Sequence, residues 1–337
     1  MSKLLAFLLV LILLVGGLGL YVRRELQVFG TPAEGLIIEI PRGLGARDIV
    51  GLLKEKNVIR NSNVAFAYIL FSGTRNKLQA GEYSFDRPQT IPEVVHKIAN
   101  GLVYLHKFAV PEGLTVGATA QKWQEQGFGF AEDFKKAANN AVDLVRQFDG
   151  NAVSVEGYLF PETYSFPAHT MPRHAIETMI ARFRQMVAKL GQVVSEDKWP
   201  LNLHDTVILA SLIETEAAQP EERSIVASVY LNRLTRHVLL QCDPTVIYAL
   251  AQADQYTGRL TLADLKFKSP YNTYVNSGLP PSAIANPGYP SLLAAIQPAD
   301  TNYLYFVRTI EARHTFSETL AAHNRAVAAY RKLKKAS

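Results

Sequence analysis

The apolar positions of this chain are concentrated in two long runs, and the first lies close to the amino terminus. Residues 4–22 form a stretch of 19 positions without a charge. At about 1.5 Å per residue, a helix of that length spans roughly 28 Å, which is enough to cross a bilayer core. A cleaved signal peptide has a shorter apolar region and a small-x-small site, which only residues 17–19 approximate. We therefore predict an uncleaved transmembrane anchor over residues 4–22, preceded by a short tail over residues 1–3.

The second apolar run ends in two carboxylates. Residues 207–213 read VILASLI and are followed by Glu214, Thr215 and Glu216. A helix that is apolar nearly all round is usually buried, and carboxylates are seldom buried unless they are paired or functional. We predict a helix over residues 205–218, capped by Asp205 and ended by Pro220. The negative end of its dipole favours a protonated carboxyl group, as a general acid requires.

The two glutamates of this helix are not equivalent. At a spacing of two residues they lie about 200° apart, so they do not face each other as a catalytic pair. Glu214 shares its stripe with Ala210 and Ser211, which are small enough to leave room for a ligand. We predict that Glu214 is the acid and that Glu216 is secondary. The alternative is an amphipathic helix end with two solvated acids.

Shorter periodic segments fill the rest of the chain and predict an α+β fold. The spacing predicts strands over residues 36–40, 81–85 and 303–307, and helices over residues 48–56, 62–71, 91–99, 173–190, 220–234 and 319–334. Residues 41–44 (PRGL) recur as residues 111–114 (PEGL), each time after a short apolar strand. This faint repeat favours two strand–turn–helix units in tandem, with chance as the alternative.

Composition and charge narrow the function. The net charge of +5 is more than accounted for by clusters beside the anchor and at the carboxyl terminus. The globular part is therefore close to neutral, which argues against nucleic acid as a partner. Cys242 is the single cysteine and excludes an intrachain disulfide. There is no HExxH motif, cysteine pair or histidine cluster at ligand spacing, so we expect no metal and no cofactor.

Five motifs, taken in order, resemble the endolytic murein transglycosylase (YceG-like) family. They are residues 156–161 (EGYLFP), 210–216 (ASLIETE), 241–245 (QCDPT), 271–274 (YNTY) and 278–281 (GLPP). The usual Glu-Lys-Glu of the family appears here as Glu214-Thr215-Glu216. The common PPGPI appears as PPSAI over residues 280–284. Neither change removes a glutamate, but both alter the local loops.

The charges around the anchor nearly cancel and leave its orientation open. The resemblance implies a single-pass inner-membrane enzyme with a short cytoplasmic tail and a periplasmic catalytic part. It implies a LysM-like module over residues 36–103 and a catalytic domain over residues 104–337. It assigns catalysis to the first glutamate of the motif, Glu214. The remaining candidates are expected to bind or position substrate, and they are Glu156, Glu216, Gln241, Asp243, Thr245, Tyr271, Asn272, Tyr274 and His314.

The expected partners are peptidoglycan glycan strands, with peptidoglycan synthases as a further candidate class. The expected reaction is lytic cleavage between N-acetylmuramic acid and N-acetylglucosamine, in which one acid serves twice and a 1,6-anhydro ring forms. Two other classes stay open. A glycan-binding scaffold would show no Glu214-dependent chemistry, and a hydrolytic muramidase would need a second carboxylate such as Asp243 or Glu156.

Overall fold

The computed structural model describes residues 2–309 and 313–336, which form a mixed helix and strand fold. The helices are α1 (Ser2–Leu26), α2 (Ala46–Glu55), α3 (Ser62–Phe71), α4 (Ile91–Ala99), α5 (Val116–Glu125), α6 (Ala131–Asn139), α7 (Val142–Arg146), α8 (Pro172–Val193), α9 (Leu203–Glu216), α10 (Arg223–Thr235), α11 (Asp243–Gln252), α12 (Tyr289–Ile296) and α13 (Leu320–Ala336). The strands are β1 (Leu36–Ile40), β2 (Gly81–Phe85), β3 (Leu105–Ala109), β4 (Thr163–Pro167), β5 (Tyr305–Arg308) and β6 (His314–Ser317). They pair as β1–β2, β3–β4 and β5–β6. The predicted α+β class is confirmed.

Helix α1 carries the amino-terminal apolar run. Among the described residues it alone is long and apolar enough to cross a membrane, and its apolar side chains are exposed. Exposure of so much apolar surface is costly in water but favourable in lipid. The helix is therefore consistent with a membrane anchor.

The smaller of two compact units comprises Met1–Lys107 and Ser165–Ala168. Strands β1 and β2 pair antiparallel, from Leu36 opposite Phe85 to Ile40 opposite Gly81. Alternate residues of both strands point into a core that α2, α3 and α4 complete. The predicted strands 36–40 and 81–85 and helices 62–71 and 91–99 are confirmed to the residue.

The larger unit comprises Phe108–Tyr164 and His169–Ser337. The turn before α5 repeats the turn before α2, since Gly43 and Gly113 both adopt a left-handed conformation with φ of 87° and 78°. The predicted recurrence of strand, turn and helix is thus present in the structure. Aromatic side chains of α5 and its neighbours pack edge to face or stacked, with Trp123 4.7 Å from Phe128 and 5.2 Å from Phe108.

Helix α9 is buried over residues 206–213 and packs against α10, α11 and α12. The prediction that Asp205 caps this helix is wrong, because Asn202 lies at the N-cap and accepts the backbone N–H of Asp205 at 3.0 Å. The helix ends at Glu216 rather than at residue 218. The helix predicted over residues 220–234 instead begins as a 3-10 turn (Pro220–Glu222), followed by α10.

Gly157 allows the chain to approach α9 closely. Its φ is +91°, and a Cβ placed there would lie 2.5 Å from the Ala283 Cβ and 2.8 Å from a Val207 methyl group. We expect Gly157→Ala to lower the free energy of unfolding by about 3 kcal/mol, through backbone strain and overpacking. Urea denaturation followed by circular dichroism measures this. Gly150→Ala is the matched control, since nothing lies within 4 Å of its Cβ position; an equal loss in both variants would contradict the prediction.

Candidate active site

A cavity of about 460 Å³ opens where the last turn of α9, the start of α11 and the β5–β6 pair meet. Its walls are polar and carry both signs of charge. The lining residues whose side chains could bind substrate or transfer a proton include Glu216, Arg233, Gln241, Asp243, Tyr274 and His314. A concave site with convergent ionisable groups is the default candidate for catalysis.

Glu216 is the last residue of α9 and contributes a carboxyl group to this cavity. Its Oε1 atom lies 3.5 Å from the Sγ atom of Cys242, which is buried. Burial raises the pKa of Glu216 to about 7, and the nearby charge of Asp243 adds to the effect. A carboxyl group with that pKa is about half protonated near neutral pH, which suits proton donation.

Asp243 places a second carboxylate in the same cavity. It is the first residue of α11, and Tyr274 donates its phenolic hydrogen to Oδ1 at 2.5 Å. Burial and this hydrogen bond raise the pKa of Tyr274 above its ordinary value, so the phenol stays protonated and remains a donor. Within residues 2–309 and 313–336, no hydrogen bond to the Oδ2 atom of Asp243 is formed.

Arg233 fixes the loop that carries Gln241. Its guanidinium is buried and donates to the carbonyl oxygens of Leu239, Leu240 and Leu304 at 2.6–3.0 Å. The Gln241 side chain accepts from the same group at 3.4 Å, and its backbone φ is +51°. A left-handed non-glycine residue beside a cavity indicates a loop held in one conformation by its surroundings.

Two further candidates, Thr245 and Asn272, lie behind the cavity rather than in its lining. The Thr245 hydroxyl lies 2.9 Å from that of Thr273 and donates to the Cys242 carbonyl at 2.7 Å. The Asn272 amide donates to two backbone carbonyls of the preceding loop, and its oxygen accepts the N–H of Tyr274 at 2.9 Å. Both side chains are buried and hold the loops that present Asp243 and Tyr274.

His314 reaches the cavity from the start of β6. Glu222 binds it twice, accepting the backbone N–H at 2.9 Å and facing the ring Nδ1 atom at 2.7 Å. Glu222 was not predicted from the sequence. Acidic residues after a proline at the start of a helix are common, because they interact favourably with the helix dipole.

Glu214 is absent from the lining of this cavity. Its carboxylate accepts the N–H of Gly288 at 2.9 Å and pairs with Arg223 at 3.4 Å, with side chains 6% and 12% exposed. Arg223 in turn donates to the Ser291 hydroxyl at 3.0 Å. Glu214 thereby joins α9 to α10 and to the start of α12. Glu112 lies nearby, and burial together with the charge of Glu214 raises the pKa of Glu112.

Glu156 and Tyr271 belong to a second cavity, of about 630 Å³. The Glu156 carboxyl accepts the N–H of Val116 at 2.9 Å, at the start of α5, and the hydroxyl of Tyr248 at 3.3 Å. Burial raises the pKa of Glu156 to about 8. The Tyr271 hydroxyl lies 2.8 Å from that of Ser282, and its ring contacts that of Tyr248.

Comparison with known proteins identifies the family of this chain. The profile of the YceG-like family matches residues 38–329, which include both cavities and most of the smaller unit. The chain belongs to the YceG-like family.

Relatives and a solved structure agree with this assignment. The YceG-like chain is 32% identical to the endolytic murein transglycosylase of Bacillus subtilis (strain 168), covering 94% of this chain and 91% of the relative. It is 25% identical to the endolytic murein transglycosylase of Streptococcus pneumoniae (strain D39), of which it spans 60% of the length. The crystal structure of a YceG-like protein from Listeria monocytogenes superposes with a TM-score of 0.59 at 32% identity, over 87% of this chain and 99% of that one.

The fold of this YceG-like protein brings half of the predicted site residues together. Those that line the first cavity are Glu216, Gln241, Asp243, Tyr274 and His314. The others lie behind it, in the second cavity or in the joint between α9 and α12. Arg233 was also not predicted from the sequence, because it lies in a helix where it is only one polar position between apolar ones.

The second cavity predicts a pH dependence of stability. The pKa of Glu156 rises from an ordinary value of about 4.5 to about 8 on folding, so its contribution is full below pH 4.5 and is lost as the pH rises to about 8. We expect Glu156→Gln to flatten the fall in unfolding free energy between pH 5 and 8. Denaturant titrations at several pH values measure the slope. Glu177 is an exposed carboxylate on α8, and the control variant Glu177→Gln should keep the wild-type slope. A slope in Glu156→Gln equal to that of the wild type would contradict the assignment.

Proposed function

We propose that this protein is a membrane-anchored lytic transglycosylase that cuts murein glycan strands internally. Its curated relatives bear the name endolytic murein transglycosylase. The observation that carries the proposal is the protonatable Glu216 carboxyl, with a pKa of about 7, in a cavity that also holds Asp243. This is the equipment of acid-catalysed glycosidic cleavage.

In the proposed reaction, Glu216 donates its proton to the oxygen that links N-acetylmuramic acid to N-acetylglucosamine. The bond from the anomeric carbon to that oxygen breaks, and positive charge develops at the carbon. The ionised form of Asp243 would stabilise this charge from within the same cavity. The muramyl C6 hydroxyl then attacks the anomeric carbon and gives its proton to a base in the cavity, which closes a 1,6-anhydro ring without the addition of water.

The acid proposed here is Glu216 rather than Glu214, the residue expected from the sequence and the family resemblance. Glu214 accepts a backbone N–H and pairs with Arg223, whose side chain is 12% exposed, so these contacts hold its side chain in place and give it a structural task. Among residues 2–309 and 313–336, Glu216 forms no ion pair of that kind, and its carboxyl group lines the cavity. The two glutamates therefore divide the tasks of support and chemistry.

A hydrolytic muramidase is a second candidate. Hydrolytic glycosidases use two carboxylates, and Asp243 supplies one close enough to raise the pKa of Glu216. The two reactions differ in their products, because hydrolysis leaves a hydrated reducing end and lytic cleavage leaves an anhydro end.

The remaining architecture follows the same proposal. Residues 36–103 would form a LysM-like module that holds glycan, which the order β1, α2, α3, β2 supports. Residues 104–337 would form the catalytic domain. Helix α1 would anchor the chain in the inner membrane, with residues 1–3 in the cytoplasm, the catalytic part in the periplasm, and peptidoglycan synthases within reach as partners.

Matched glutamine variants of the two glutamates test the choice of acid. We expect Glu216→Gln in the full chain to lower the cleavage rate about 10²–10⁴-fold, because the amide has no proton to donate. Glu214→Gln should instead lower stability while its folded fraction keeps cleaving. Mass spectrometry of digested glycan strands measures the rate and the ends. The result that overturns the assignment is cleavage by Glu216→Gln at the wild-type rate. Hydrated ends from the wild type would favour the muramidase.

The pH profile tests the state of Glu216. An acid with a pKa of about 7 is lost as the pH rises, so kcat/KM should fall above about pH 7, tenfold per pH unit. Because the charge of Asp243 helps to raise that pKa, Asp243→Asn should move the alkaline limb to lower pH. An alkaline limb unmoved by the substitution would mean that Asp243 does not act on the acid.

A further inference from the structure

Glu222 and His314 form a buried pair beside the cavity. The two side chains are 8% and 5% exposed, and each oxygen of the carboxylate has a partner on His314. Glu222 ends the 3-10 turn before α10, whereas His314 begins β6, so the pair joins two elements that are 92 residues apart. The adjacent carboxylate, Glu221, is different, since it is exposed and pairs with Arg313 at the surface.

This pairing sets the chemistry of the imidazole. An ionised carboxylate only accepts hydrogen bonds, so the ring atom that faces it, Nδ1, carries the hydrogen. In the neutral ring, Nε2 is then an acceptor. Within residues 2–309 and 313–336 no hydrogen bond to Nε2 is formed, while His314 lines the cavity that holds Glu216. The ring of Phe306 packs edge to face against the imidazole at 5.2 Å and limits its rotation.

We propose that His314, oriented by Glu222, is the base that removes the proton from the muramyl C6 hydroxyl. The inference rests on the proposed function and divides its proton transfers between two residues. The bond from the anomeric carbon to the leaving oxygen breaks as that oxygen takes the proton of Glu216. The C6 oxygen bonds to the anomeric carbon, and its proton goes to Nε2. Solvent later takes one proton from the imidazolium and returns one proton to the Glu216 carboxylate, which restores the enzyme.

A separate base removes a geometric difficulty. The leaving oxygen and the C6 hydroxyl are different atoms on the substrate, and a single carboxyl group must reach both in turn. Glu216 is held at a helix end against Cys242, so its movement is restricted. A histidine fixed by a carboxylate has the correct tautomer and orientation before substrate binds, which is the arrangement of other histidine bases.

The experiment compares full-length variants in detergent on purified glycan strands, with anhydro ends counted by mass spectrometry. We expect His314→Ala to lower the rate about 10²–10⁴-fold and free imidazole to restore part of it. Glu222→Gln should lower the rate less, since the amide still accepts one hydrogen bond. Glu221→Gln, the neighbouring exposed carboxylate, is the control and should keep the wild-type rate.

The outcomes separate this inference from the function it rests on. Imidazole rescue of His314→Ala supports a base, because a merely structural histidine would not be replaced by a free ring. A wild-type rate in His314→Ala overturns the inference, and so does a loss without rescue that matches a drop in melting temperature. In either case anhydro ends from the wild type would leave the lytic function standing. Hydrated ends from the wild type would instead overturn the lytic function itself.

Discussion

The burial of α9 on all sides is the constraint on which the larger unit depends. A helix that is apolar nearly all round needs cover in every direction, and α10, α11 and α12 provide it. The chain that closes the remaining side comes close, since the N–H of Ile284 donates to the Ser211 hydroxyl and Gly157 lies against Val207. The carboxylates in the last turn of such a helix are largely shielded from water. Each has to be neutralised, paired or placed in a cavity.

The two glutamates at that end take different solutions because the helix points them in opposite directions. Glu214 faces the start of α12 and meets a backbone N–H and Arg223. Glu216 faces the loop before α11, where burial and the nearby charge of Asp243 make ionisation unfavourable. The spacing of two residues predicted that they would not act as a pair, and the structure agrees. Which of the two glutamates pairs with Arg223 depends on residues that are distant in the sequence. The hydrophobic periodicity of α9 therefore cannot predict it.

The same distinction between local and distant information describes what could be predicted from the sequence. Strands 36–40 and 81–85 were predictable because one face is buried and the alternation is clean. The cap of α9 was mistaken by three residues, since Asn202 and Asp205 are both good capping residues and the choice depends on where the chain enters. Half of the predicted site residues line one cavity, and several of them were predicted because they lie in turn-rich loops. Arg233 and Glu222 escaped because each lies in a helix or turn where a charged residue needs no special explanation.

Three of the residues that line the candidate active site are held by neighbouring side chains. Arg233 holds Gln241, Asn272 holds the backbone of Tyr274, and Glu222 holds His314. Such support fixes donors and acceptors before substrate arrives, which is where much of enzymatic rate enhancement originates. The arrangement has a cost, because a carboxyl group whose pKa rises on folding contributes less stability as the pH rises through that value. Glu216, with its pKa of about 7, is therefore held in a state that weakens the fold near neutral pH. Its retention in the cavity is better explained by chemistry than by packing.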